Sequence, residues 1–254
     1  MSESSVYPEI VARFYDVIYA RVRAGYDTSY FISKMKSAPG PVLEVGVGTG
    51  RFFTEALKAQ ADIYGIDNSH EMLDQLKKKI DSSEQFRISK QDVTSFSLDK
   101  KFVLIIAPFR VFAHLLTVDE QLAALNRIFD HLAPGGIFIF DLYIPDLNML
   151  LNGLDNFPDF EGEYEPGHTV KRFVTAKADL VRQINRVTMR FVWDEDNGEE
   201  KDKEWSFDMR FFWHYELEHL IHRSKLELIN IYGDYNENPL GPKSRDFVIK
   251  CRKQ

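Results

Sequence analysis

Apolar positions recur at helical spacing near the start of the chain. Ile10, Phe14, Val17 and Ile18 mark one face, and Pro8 suits a first helical position. This predicts a helix over residues 8–20 and a second over about 26–36, stopped by Ala38-Pro39-Gly40-Pro41. Short apolar runs then alternate with amphipathic stretches. Strands are predicted at 42–46, 63–66, 86–89, 102–107 and 137–140, and helices at 52–60, 71–80 and from Thr117 onward. The second of these helices carries Asp74 and Lys78 at i,i+4. Residues 102–107 are apolar throughout, as a strand covered on both faces should be. Thr117-Val118-Asp119-Glu120 reads as a capping box, and Ala133-Pro134-Gly135-Gly136 as the stop of the helix it opens. Strand–helix alternation with short turns predicts a parallel sheet with helices on both faces.

The rhythm changes near Tyr143. From 169 to 213 β-branched and aromatic residues recur at period two, and Asp196-Asn197-Gly198 is a hairpin signal between two such runs. A helix at about 215–224 and strands at about 226–232 and 247–251 close the chain. The 145–210 stretch reads as an antiparallel insertion in an α/β domain.

Charge and composition narrow the chemistry. With 32 Lys and Arg against 39 Asp and Glu, the net charge is −7, which argues against nucleic acid as a partner. One cysteine, Cys251, excludes a disulfide framework or a cysteine-based zinc site within one chain. His214, His219 and His222 lack a fixed third ligand, so a polar helix face is expected there and no metal. No charged-then-apolar leader and no apolar run of about 18 residues is present, so a soluble cytoplasmic protein with no membrane segment is expected. Hydrolase elbows and phosphate-loop motifs are absent.

The first predicted strand runs into Gly46-Val47-Gly48-Thr49-Gly50, preceded by Glu44. Glycines there permit a sharp turn and close approach of backbone to a ligand. The next strand ends at Asp67, which neighbouring strand ends bring beside that loop, within reach of a ribose. A dinucleotide fingerprint would need glycine at 51, which is Arg51. Asp92 follows the third strand and either points into the same crevice or caps its own turn, Asp92-Val93-Thr94.

LEVGVGTGR, GIDNSHEML, KQDVTSF, FVLIIAPFRVFAHL and LAPGGIFIFDLY together resemble the successive motifs of class I S-adenosylmethionine-dependent methyltransferases, over about residues 40–144. The resemblance implies a Rossmann-like α/β fold: a seven-stranded sheet with an antiparallel last strand, an N-terminal helical lid and the β insertion. It implies S-adenosyl-L-methionine as cofactor, with Gly46, Gly48 and Gly50 under its methionine part and Asp67 on the ribose hydroxyls. It further implies Asn68 and Met72 near ribose and adenine, Asp92 and Val93 at the adenine, and Ala107 and Pro108 beneath the cofactor. The expected division is 1–144 for lid helices and cofactor-binding part, 145–212 for a substrate-capping insertion, and 213–254 for the elements completing the sheet.

The N-terminal segment, with Tyr7, Tyr15-Asp16, Tyr19, Arg21, Arg23 and Tyr26, is similar to small-molecule N-methyltransferases acting on amino sugars and to glycine N-methyltransferase relatives. That likeness puts Arg21 or Arg23 on the methionine carboxylate. Tyr7 and Tyr15 either place hydroxyls near the acceptor or rim an amphipathic helix. His114, at the carboxyl edge of the fourth strand, is either a general base titrating near the ordinary value of about 6.5 or a supporting residue. Leu180, Arg182, Ile184, Arg186, Thr188 and Arg190 read as one strand face, either solvated or anion-binding. Trp193, Trp205, Phe207, Met209, Phe211 and Trp213 read as sheet core or acceptor-pocket lining. Ala107-Pro108-Phe109-Arg110 lacks the acid or amide and second proline of nucleobase amino-methyltransferases. The expected activity is methyl transfer to an amine, or a hydroxyl, of a small-molecule acceptor. A non-catalytic cofactor-binding protein and a protein or tRNA methyltransferase are the alternatives.

Overall fold

The computed structural model describes residues 6–22, 27–195 and 198–254. Seven strands form the main sheet: β1 (Val42–Val45), β2 (Ile63–Asp67), β3 (Ile88–Lys90), β4 (Phe102–Ala107), β5 (Leu132–Tyr143), β10 (Glu227–Tyr232) and β11 (Asp246–Arg252). Their order is β10-β11-β5-β4-β1-β2-β3. β1 to β5 pair in parallel, and β11 runs antiparallel to β5 and β10. The chain winds outward in both directions from β1, so the sheet has a switch point at β1 and β4, where such folds open a crevice.

Alternation along the strands divides the core. Leu43, Val45 and Ile105 face α5 (Val118–His131) and α7 (His214–His222). Val42, Leu104 and Ile106 face α2 (Thr28–Lys36) and α3 (Phe53–Lys58). Both faces of β1 and β4 are buried, which is why these segments show no polar alternation. The remaining helix beside β2 is α4 (His70–Lys77). The Thr117 capping box opens α5 as the sequence predicts.

The insertion is a four-stranded antiparallel sheet in the order β6 (Leu154–Glu165), β7 (His168–Asp179), β8 (Ile184–Asp194) and β9 (Glu200–Arg210), entered through α6 (Leu147–Asn152). α1 (Glu9–Val22) lays its apolar face on this sheet. Val11, Phe14 and Ile18 share a core with Val170, Val187, Phe191 and Trp193. Among the described residues no helix is long and apolar enough to cross a membrane.

Several local expectations change. Residues 82–87 form a 3-10 segment, so the third strand begins at Ile88 rather than at 86. β5 begins at Leu132, through the residues expected to stop α5. Asp74 pairs with Lys77 at 2.9 Å, one residue before the predicted Lys78. Leu180 and Arg182 lie in the turn between β7 and β8, where Gln183 has φ +55°, and so do not share the strand face of Arg186 and Arg190. Those two arginines pair with Asp208 and Asp202 on the open side of the sheet. The Asp196-Asn197 part of the hairpin signal, like Arg23 and Tyr26, lies outside the described residues.

Candidate active site

The glycine loop follows β1 and is held by main-chain bonds: Gly46 and Val47 donate to Ile66 O at 2.8 and 3.0 Å. Gly46 and Gly48 have φ of +72° and +55°, a region that penalises any Cβ. A Cβ at Gly46 would also stand 2.4 Å from Val111, so the strand end and the segment after β4 are packed against bare backbone.

Asp67 closes the loop from the side. Its carboxylate accepts from the Gly48 N–H and the Ser69 N–H, each at 2.8 Å. Burial raises its pKa, and these backbone bonds pull it back down. Ser69 caps α4 by accepting from Met72 N and donates its own hydroxyl to Tyr7 O at 2.7 Å. The N-terminal segment is thereby tied to the residues beside Asp67.

Glu44 is buried, and its Oε2 has no hydrogen-bond partner among the described residues. Burial pushes its pKa well above the ordinary carboxylate range, against the pull of Arg51. Arg51 is held by the fully buried Asp27 at 2.6 Å, between the rings of Phe52 and Phe109 at 4.3 and 4.7 Å. Past β4 the backbone turns through Phe109 and Arg110, both at left-handed φ (+62° and +65°). Each such residue costs on the order of 1–3 kcal/mol, and strain of this kind concentrates at functional sites. Asp141, pushed up to about 6 by burial, braces this turn and accepts from Tyr235 at 2.9 Å.

His114 is enclosed. Its Nε2 lies 3.3 Å from the Tyr7 hydroxyl, and its Nδ1 has no partner among the described residues. Burial alone lowers its pKa to about 4. Tyr7 is edge-on to His114 and Tyr15 and packs on Trp205 at 4.8 Å. The post-β4 segment, the N-terminus and β9 therefore meet around one aromatic cluster.

A cleft of about 820 Å³, counting its open mouth, joins these groups. Tyr7, Tyr15, Glu44, Gly46, Gly48, Asp67, Asn68, Met72, Val93, Pro108 and His114 line it together. Gly50 and Ala107 stand behind the lining: a Cβ on Gly50 would meet Leu76, and Ala107 is buried in the core. Asp92 accepts from Thr94 N and Oγ1 at 2.8 and 2.6 Å, the turn-capping arrangement, and its neighbours Gln91 and Val93 face the cleft instead. Arg21 lies over Phe160 of β6 at 5.6 Å, away from the lining. Arg51, Phe109 and Gln91 line the cleft without having been singled out as ligands. Arg51 directly follows the glycine loop, which was a usable signal; Asp27, its anchor, shows none in the sequence.

Residues 42–136, the span of the glycine loop, Asp67 and His114, match a family model described as a methyltransferase domain. The chain carries a class I methyltransferase domain. An uncharacterized methyltransferase of Bacillus mycoides is 32% identical over 125 residues, which are 49% of this chain and 57% of that protein. The chain thus spans little more than half the length of such relatives. YqeM of Bacillus subtilis, whose own methyltransferase assignment is provisional, is 23% identical across 98% of this chain and 95% of that protein. Among solved structures, a methyltransferase from Clostridium acetobutylicum superposes with a TM-score of 0.79 at 18% identity, covering 96% and 99% of the two chains. The sugar N-methyltransferase KedS8 of Streptoalloteichus gives 0.75 at 17% identity, covering 100% and 98%. At such identities the likeness concerns the fold, and the seven-stranded methyltransferase sheet is that fold.

Proposed function

We propose that the chain is an S-adenosylmethionine-dependent methyltransferase whose acceptor is an amine of a small molecule. The observation that carries the cofactor half is Glu44: a buried carboxylate in the glycine-loop cleft, with one oxygen unpartnered among the described residues. A buried acceptor left unmade costs about 1–3 kcal/mol, and an ammonium group would satisfy it. The rest of the lining fits the same ligand. Arg51, fixed by Asp27, suits a carboxylate. Beyond the backbone bonds it accepts from Gly48, Asn68 and Ser69, the Asp67 carboxylate, with about four acceptor sites, keeps room for a ribose hydroxyl. Met72 and Val93 offer apolar walls to a base. Arg23 remains a second candidate for the carboxylate. Bound there, S-adenosylmethionine supplies a methyl group already activated on a sulfonium.

The protein's own part is alignment and exclusion of water. Tyr7, Tyr15 and His114 present polar atoms inside aromatic walls, where an acceptor's N–H groups are oriented. His114, with its pKa near 4, is neutral at physiological pH but a weak base. A hydroxyl acceptor must shed a proton as it attacks. A neutral amine attacks through its lone pair and carries its proton away on the product ammonium. Weak basicity at this position therefore favours the amine, in line with KedS8, a sugar N-methyltransferase. The −7 charge disfavours tRNA.

Matched amines and alcohols offered with S-adenosylmethionine test the reading by mass spectrometry. Transfer to amines is expected. Transfer only to alcohols would overturn the amine assignment, and S-adenosylhomocysteine binding with no turnover across the panel would leave a binding protein.

A further inference from the structure

Two kinds of contact hold α1. Toward the four-stranded sheet they are mostly apolar and buried, with Arg13 adding bonds to Glu195 at 2.9 Å and to the Tyr164 hydroxyl at 3.3 Å along the rim. Phe14 is fully enclosed, with Tyr164, Phe191 and Trp193 at 4.9, 6.1 and 5.6 Å. Arg172 of β7, also buried, grips Asp159 of β6 with two bonds at 2.9 and 2.7 Å and lies 4.9 Å from the Tyr19 ring. Toward the seven-stranded domain the contacts of α1 are largely polar. Asp16 accepts from the Thr49 hydroxyl at 2.7 Å and pairs with Lys79, which also donates to Thr49 O at 2.8 Å. Asp16 is half exposed, so water can replace those bonds when they part. Aromatic edges add to this second interface, Tyr19 on Phe109 and, just ahead of α1, Tyr7 on His114, and β9 joins it through Phe207 on His114 at 5.6 Å and the Arg210 bond to Leu116 O at 3.2 Å.

We propose that α1 and the four-stranded sheet are one rigid cap, and that Asp16 latches this cap to the glycine loop through Thr49 and Lys79. Separating α1 from the sheet would expose Phe14 and Ile18 to water, whereas parting Asp16 from Thr49 exchanges polar bonds for hydration. Motion therefore falls at the polar interface and carries the insertion with the helix. Thr49 stands between Gly48 and Gly50, in the loop assigned above to the cofactor. A ligand that fixes this loop fixes the latch, and a closed latch slows that ligand's escape, by the reciprocity of linked equilibria. Asp16 is a positioning residue here, acting through Thr49. The coupling rests on the cofactor reading; the single cap does not.

The test is Asp16→Ala, followed by S-adenosylhomocysteine dissociation and by hydrogen exchange with and without that ligand. Dissociation should quicken roughly fivefold, with the melting temperature nearly unchanged. Exchange in α1 and in β7 and β8 should quicken together while β1 and β4 stay as they were. Lys79→Met should add little in the Asp16→Ala background, since both act on one latch. Asp16→Asn should keep part of the latch, and so quicken dissociation less, because its amide oxygen still accepts from Thr49 while the charge facing Lys79 is lost. Unchanged dissociation in Asp16→Ala would overturn the latch, and faster exchange in α1 alone would overturn the single cap. Wild-type protein that binds no S-adenosylhomocysteine would sink the cofactor reading and the coupling, while ligand-free exchange would still decide the cap.

Discussion

Single residues around the cleft do two jobs at once, and that shapes what their replacement should show. Gly48 has a left-handed backbone, and a Cβ there would stand 3.3 Å from Met72 Cε. Gly48→Val adds a branched side chain on the ligand side, so S-adenosylhomocysteine binding should vanish in calorimetry while the protein stays folded. Asp67 braces Gly48 as well as facing the cleft, so Asp67→Ala should cost at least about 1.5–3 kcal/mol of ligand binding. A 2′-deoxyribose analogue separates the two jobs: it should lose much less in the mutant than in wild type, and equal losses would restrict Asp67 to the loop. His114 departs most from its expected behaviour. As a base of ordinary strength it would put a kinetic limb near pH 6.5, but burial lowers its pKa to about 4. With an amine acceptor, the rise of kcat/KM with pH should follow the amine's own pKa and survive His114→Asn. Stability gives an independent check. A folded pKa of about 4 against about 6.5 unfolded means the unfolded chain binds the extra proton, so stability falls as pH drops through that window. The contribution approaches ~3 kcal/mol by pH 4, and His114→Asn should remove it from the pH dependence of denaturant unfolding.

At the scale of elements, the turn after β4 sets stability against use. Phe109 and Arg110 hold left-handed conformations that glycine adopts freely. Phe109→Gly should therefore leave stability level or raised, through relief of about 1 kcal/mol of strain, yet weaken S-adenosylhomocysteine because Arg51 loses one of its two ring faces. Lower stability together with intact binding would refute that trade. The same turn shows where sequence patterns stop informing. β4 was legible because a strand buried on both faces must be apolar throughout, and β1 because only Glu44 interrupts its apolar run. The glycine loop and Asp67 were legible because backbone conformation and strand-end geometry restrict the residue types there. Phe109 and Arg110 were not, since neither residue type announces a positive φ. β6 was also missed as a strand. It contains Pro158 and Gly162 and many acidic residues, a composition that only an edge strand tolerates, and it does lie at the edge of its sheet. The Asp27–Arg51 pair, linking residues 24 apart, is tertiary and leaves no local trace.

The whole molecule has three apolar clusters. Two cover the faces of the seven-stranded sheet, and the third lies between α1 and the small sheet. The cleft runs between the first two and the third, so its two walls belong to units with distinct cores, which meet at Met209 of β9. Separate cores allow separate stabilities. The three tryptophans make the difference observable: Trp193 and Trp205 lie in the cap, and Trp213 follows β9 by three residues. Phe14→Ala removes a fully buried ring from the cap cluster, a change that typically costs 3–5 kcal/mol. In that variant the tryptophan fluorescence transition should precede the loss of far-ultraviolet circular dichroism from the seven-stranded core. S-adenosylhomocysteine should draw the two transitions back together, because a ligand held between both walls stabilises only the assembled arrangement. If the two probes still coincide in Phe14→Ala without ligand, the clusters unfold as one, and the cap has no stability of its own for the cofactor to govern.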